Sequence, residues 1–309
     1  LSYLTAGLVN AMRREELFSR SGFYGFVLQS NVLLHREAVS AAVAAFEPVL
    51  AERPRDEAVA VLDLACGGWP VTVSEVMEAF PAYRFAYTGI DINPDQVALA
   101  SAGFVFPDNV VEARVLEGNA WDLEGLDLAA SYPLVYSGMN LHHGTPEEIR
   151  FLGLQLRRRL APGGVFFSHD VYRPEGEPYL RRPAVIEGEA SWLVDPARLE
   201  ALGPSGVPAA AEEARKRPGW RTAYVEAMRR GLIGRGADPE GAESTARHMR
   251  SRDYPISTRE LRAIMGGLGF RVTARRYDEG DGPLGPYVAS CVVSAKAWHP
   301  VRLCRGAAC

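Results

Sequence analysis

Cysteine is scarce in this chain: four in 309 residues, at Cys66, Cys291, Cys304 and Cys309. No CxxC pair and no zinc spacing occurs among them, which excludes a disulfide scaffold or a zinc ribbon. Lysine is nearly missing, with only Lys216 and Lys296, so arginine carries the positive charge. The formal net charge is -4, and no overall basic field exists to hold a polyanion. No apolar run approaches the ~20 residues of a membrane span. The opening LSYLTAGLVNAMRREELF lacks a basic start followed by an apolar core, so it does not read as a signal peptide. We expect a reducing, cytoplasmic setting, with no membrane and no nucleic acid as partner. Internal repeats and low-complexity tracts are absent too. With 47% apolar and 23% charged residues, what remains is an ordinary globular chain, long enough to bury a core and a small-molecule pocket.

What is present is an alternation of periods. From Phe26 to Leu50 apolar residues recur at helical spacing, with Pro48 and Pro54 marking the expected end. AVAVLDLA, from Ala58, reads as a strand buried on both faces. The pattern then alternates: helix VTVSEVMEAF, strand FAYTGIDI, helix PDQVALASAGF, strand EARVLEGNA, strand YPLVYSGMNLHH, helix PEEIRFLGLQLRRR, strand VFFSHDVY. This rhythm predicts an α/β fold with a doubly wound, mostly parallel sheet. Residues 173–255 break it with helical pieces between Gly and Pro, one of them PAAAEEARKR. Ser257 and Glu260 then suit a capping box before TRELRAIMGGLG. FRVTARRYD and YVASCVVSAKA close a seven-stranded sheet as a hairpin, the last strand antiparallel. The expected divisions are a helical lid over 1–58, a sheet domain over 59–172 and 256–298, a helical insert over 173–255 and a tail over 299–309.

VLDLACGGWP, residues 61–70, runs a strand into a glycine turn and a helix, which lets backbone approach a ligand closely. Asp91, at the end of the next strand in GIDINP, is placed to accept the two hydroxyls of a ribose. EGNAWD and SGMNLHH add two more strand ends on the same carboxyl edge, where ligands of open α/β sheets sit.

Together these segments resemble the class I S-adenosylmethionine-dependent methyltransferases. VLDLACGGW is similar to their first motif and GIDINPDQV to their ribose-binding motif. LEGNAWDL is similar to their adenine-contacting segment, YPLVYSGMNLHH to the fourth strand, and LRRRLAPGGVFFSHD to the turn and fifth strand. The resemblance implies a Rossmann-like fold and S-adenosyl-L-methionine as cofactor. It implies that Asp63 orients the first loop near the methionine amine and that Ala65 and Gly67 bring backbone close. It places Asp91 on the ribose, Ile92 against the adenine, Asn119 and Ala120 at its edge and Trp121 beside the ring. Ser137, Gly138 and Met139 line the sulfonium side, and Tyr24 folds over from the N-terminal helices. The family's first and third glycines are here Ala65 and Trp69, and an indole at the third position must turn outward or crowd the loop.

On the acceptor side, Asn140, His142, His143 and Tyr172 are the candidate catalytic residues, with one histidine of the pair expected to reach the pocket. No Asn-Pro-Pro-Tyr run is present, which argues against methylation of nucleic-acid bases, and no metal-ligand cluster is visible. The expected reaction is methyl transfer to a small molecule. Two alternatives stand beside it: a lyase or cyclase of the same fold that releases methylthioadenosine, and a non-catalytic cofactor-binding protein. The sequence is silent on oligomeric state.

Overall fold

Strand β1 (Ala58–Leu64) is apolar on both faces because helices cover both. The computed structural model describes residues 26–186, 189–204, 219–278 and 280–295. Within them, β1 pairs in parallel with β2 (Arg84–Asp91) on one side and β4 (Tyr132–Gly138) on the other. β2 pairs with β3 (Val110–Glu117), and β4 with β5 (Leu160–Val171). β3 ends the sheet and has no buried residue, with Glu112 exposed and Arg114 half-buried, as befits an edge. β8 (Phe270–Arg276) and β9 (Val288–Ala295) are the antiparallel hairpin. β9 inserts between β5 and β8, giving the order β3-β2-β1-β4-β5-β9-β8. The seven-stranded Rossmann-like sheet expected from the sequence is the one observed.

Helices α1 (His35–Ala51) and α2 (Val71–Glu78) pack one face, where Phe46 meets Phe167 and Phe167 stacks on Tyr136. Helices α4 (Pro146–Arg159) and α8 (Thr258–Gly267) cover the other through Leu152, Leu156, Leu261 and Met265. Between them in sequence, α3 (Pro94–Gly103) connects β2 to β3. α8 begins with the expected capping box of Ser257 and Glu260, and α4 with one of Thr145 and Glu148. The helical pattern from Phe26 breaks earlier than its spacing suggests. Asn31 and Leu34 adopt positive φ, 52° and 58°, so α1 starts only at His35. It then runs through Pro48 rather than ending there.

The insert is less purely helical than expected. It holds a two-residue hairpin, β6 (Val185–Ile186) with β7 (Glu189–Ala190), a short α5 (Pro196–Glu200), and the longer α6 (Gly219–Ile233) and α7 (Pro239–Arg252). α6 and α7 share an apolar cluster with Val27, Val32, Leu33 and Leu34, through Trp220, Tyr224, Met228 and Met249. The N-terminal segment is tied to the sheet by His169, which donates from Nε2 to the Leu33 carbonyl at 2.7 Å. Both covers therefore meet the carboxyl ends of the central strands. Tyr24, the helical piece PAAAEEARKR and the tail over 299–309 lie outside the described residues. No helix among the described residues is long and apolar enough to cross a membrane.

Candidate active site

The turn after β1 is braced from β2. Ala65 and Gly67 take positive φ, 59° and 61°, which turns the chain back on itself at the strand end. Alanine in this conformation carries a steric cost of ~1–2 kcal/mol that glycine escapes. The cost is met by fixed contacts: Cys66 N donates to the Ile90 carbonyl at 2.9 Å, and Gly67 N to Asp91 Oδ2 at 2.8 Å. Gly68 N donates to Gln96 Oε1 at 2.8 Å, and Asn93 N to Asp91 Oδ1 at 2.9 Å. Burial raises the Asp91 carboxyl above its usual range, and the Asn93 and Gly67 amides pull it partly back. Each Asp91 oxygen accepts one backbone amide and keeps capacity for another donor.

A cavity of about 200 Å³ opens beside this turn, over the carboxyl ends of β1, β2 and β4. Its first half is walled by Ala65, Gly67, Asp91, Ile92, Asn119 and Ala120, all expected cofactor contacts. Trp69 also lines it, 38% exposed and set edge-on against Phe104, with ring centroids 6.3 Å apart. The indole thus leans toward α3 instead of filling the loop. Asn119 is more committed than the sequence suggests: its Nδ2 donates to the Leu193 carbonyl and its Oδ1 accepts from Trp121 N.

Trp121 links the two halves. Its Nε1 donates to Asn140 Oδ1 at 3.1 Å, and the far end of its six-membered ring abuts Gly144. A Cβ at position 144 would sit 2.2 Å from Trp121 Cη2, so only glycine admits the indole there. Gly138, Met139, Asn140, His142 and His143 continue the wall. Both histidines reach the cavity, where sequence reading expected one. The short helical turn Leu141–His143 brings the two rings together, centroids 4.0 Å apart and planes tilted by 52°.

Asp170 organises this half. Its Oδ2 accepts the amides of Asn140 and Leu141, and its Oδ1 lies 2.6 Å from His142 Nδ1. Burial pulls the His142 pKa down, but the Asp253 and Asp170 carboxylates outweigh it and push it up to about 9. His143 moves the other way: burial, then the charges of His142 and His248, hold it well below the ordinary imidazole value.

Three expected site residues do not line the cavity. Tyr172, the residue after β5, packs into the core beside Ser168, while its neighbour Val171 lines the pocket. Ser137 is fully buried and faces Asn140 Nδ2 at 3.4 Å. Asp63 points under the loop, where Tyr87 donates to its Oδ2 at 3.0 Å, and its Oδ1 has no hydrogen-bond partner among the described residues. Conversely, Asn93 and Gln96 line the cavity, as do Leu193, Tyr224, His248 and Asp253 of the insert. The first two sit where a helix N-terminus follows the acidic strand end, a signal the sequence does carry. The insert residues belong to no local motif.

A sheet of this order, with a glycine turn after β1 and an acid at the end of β2, is a Rossmann-like fold with its cavity at the carboxyl ends of the strands. Residues 61–164 match a family model described as a methyltransferase domain. A protein of Synechocystis sp., the uncharacterized methyltransferase sll0829, is 30% identical over 139 residues. That match covers 43% of this chain and 58% of the Synechocystis protein. Among solved structures, human N-acetylserotonin methyltransferase in complex with S-adenosylmethionine is 14% identical. It aligns over 83% of this chain and 51% of its own, with a TM-score of 0.45. LepI in complex with the same molecule is 10% identical over 81% of this chain and 46% of its own, with a TM-score of 0.47.

Proposed function

We propose that the protein is an S-adenosylmethionine-dependent methyltransferase acting on a small-molecule acceptor. The observation that carries this reading is one continuous cavity with Asp91 and the braced turn at one end and Asn140, His142 and His143 at the other. The residues at the first end fit the cofactor: Asp91 has spare acceptor capacity, the Ala65–Gly67 turn leaves backbone exposed, and Ile92, Ala120 and Trp121 offer apolar flanks. When bound, S-adenosylmethionine supplies a methyl carbon made electrophilic by its sulfonium sulfur.

The chain's own task is alignment and exclusion of water. Gly138 and Met139 wall the space between the two ends, and Leu193, Tyr224, Met228 and Met249 close it from the insert. At the acceptor end Asn140 is held by Trp121 and Asp170, which leaves it rigid. His143, kept neutral by burial and by the charge beside it, offers an acceptor a hydrogen-bond partner that carries no charge. His142, held by Asp170, orients that ring. The apolar insert residues lining the cavity and the net charge of -4 favour a small acceptor over a nucleic acid.

The test is product analysis. Purified protein is incubated with S-adenosylmethionine alone and with panels of small hydroxyl, amine and thiol acceptors. S-adenosylhomocysteine formed only with an acceptor supports the reading. Methylthioadenosine formed without one would show a cyclase or lyase instead. Asp91→Ala should weaken cofactor binding at least tenfold, since a charged hydrogen bond contributes about 1.5–3 kcal/mol. Unchanged affinity by calorimetry would overturn the assignment of that end of the cavity.

A further inference from the structure

The acceptor end of the cavity holds more nitrogen and carboxylate donors than a proton transfer needs. His142, His143 and Asp253 each present a ligand atom, and these atoms lie within 4.8 Å of one another. Asp253 is 2% exposed. Its Oδ2 accepts from the Tyr224 hydroxyl at 2.9 Å, while its Oδ1 has no hydrogen-bond partner among the described residues. That orphaned oxygen faces three imidazoles. His142 Nε2 stands 3.6 Å away, His248 Nε2 3.8 Å and His143 Nδ1 3.9 Å.

These distances are too long for hydrogen bonds. They are close to those between donors that share a cation. With metal–nitrogen and metal–oxygen bonds of about 2.0–2.1 Å, the edge of a tetrahedral donor set is roughly 3.4 Å. The surroundings are those of a ligated histidine as well. Asp170 holds His142 by Nδ1, which leaves Nε2 directed at Asp253, the carboxylate–histidine–metal arrangement. Tyr224 holds the far oxygen of Asp253 in the same manner.

The geometry points to a binding site for one divalent first-row transition ion, with His142, His143 and Asp253 as ligands, His248 beside them, and open coordination toward the cavity. Two imidazoles and a carboxylate suit Zn²⁺, Co²⁺ or Fe²⁺ rather than Mg²⁺ or Ca²⁺, which prefer all-oxygen sets. An ion there would place a Lewis acid at the acceptor end, where it would lower the pKa of a bound hydroxyl and anchor it. The histidines would then hold the ion rather than take the proton. Sequence spacing hides this set because Asp253 and His248 come from the insert, more than a hundred residues from the His-His pair. The inference does not rest on methyl transfer, since metal binding is measured without cofactor or acceptor.

Chelator-treated full-length protein is titrated with Zn²⁺ and with Co²⁺ by calorimetry and visible absorption. We expect one ion per chain and Co²⁺ d–d bands. Asp253→Asn and His143→Asn should each weaken binding at least tenfold, with far-UV circular dichroism unchanged. X-ray absorption of the Zn²⁺-loaded native protein, which needs no variant, should show imidazole scattering from at least two rings. The inference is overturned if millimolar Zn²⁺ and Co²⁺ do not bind or if the zinc shell is all oxygen. It is equally overturned if both folded variants bind as the native protein does.

Discussion

At the scale of single residues, Asp63 shows how position decides a side chain's effect. Burial, reinforced by the charge of Asp91, pushes its carboxyl up to about 8, although the Tyr87 hydrogen bond pulls the other way. In the unfolded chain its pKa is about 3.9. Below that value both states hold the proton, and the protein has its full stability. Above it the unfolded chain ionises first, so stability falls as pH rises through the folded value near 8. Urea unfolding of the apo protein should therefore give a lower midpoint at about pH 8 than at about pH 5, and Asp63→Asn should lose less across that window. Equal losses in the two proteins would show that Asp63 is not the group responsible. Legibility at this scale follows locality. Asp91, Gly67 and Ile92 sit in runs where strand, turn and acid are contiguous, so the sequence announces them. Tyr172 misled because it stands one residue past the end of β5, and the register at the strand end is set by pairing with β9. Asp253 was invisible because nothing near it in the chain hints at the His-His pair it faces.

Among elements, the join between α4 and the insert is the most consequential. Glu148 is fully buried at the start of α4, where it closes the capping box with Thr145. The same carboxylate pairs with Arg182 Nη2 at 2.6 Å and accepts the Leu193 amide at 2.7 Å. Arg182 in turn donates to the His143 carbonyl. Arg182→Leu would leave a buried carboxylate without its cation and should cost about 3–5 kcal/mol. Arg158 pairs with Glu124 at the surface, both well exposed, and Arg158→Ala should stay within about 0.5 kcal/mol. Urea denaturation of the two variants distinguishes a clamp from an ornament; similar small losses would mean that water reaches Glu148. The strands and α4 were readable from period and capping signals, because each is decided by its own residues. The hairpin of β6 and β7 was not, since two-residue strands carry no period.

For the molecule as a whole, the N-terminal segment and the insert pack together over the cavity at the sheet edge. α6 and α7 share their apolar cluster with the N-terminal segment and touch the site through Tyr224, Met228 and Met249. Lids come from the less stable parts of a fold. Hydrogen exchange over α6 and α7 should slow on adding S-adenosylhomocysteine while β1 and β4 change little; equal protection in both states would exclude closure. The sheet order carries a different consequence, one of timing. β9 comes last in chain order among the strands of this sheet, yet it lies between β5 and β8. While the ribosome is still producing residues before 288, β5 presents an open edge, and the Ser290 hydroxyl that meets His169 does not yet exist. An unpaired central strand is an invitation to wrong partners. A chain cut after Tyr287 should accumulate in the insoluble fraction and lack near-ultraviolet dichroism, although every residue named at the cavity wall is present in it. Recovery of a soluble, cooperatively unfolding fragment would show that the sheet of β1–β5 is stable without β9. Synthesis of this sheet therefore passes through a nascent state in which β5 waits on β9.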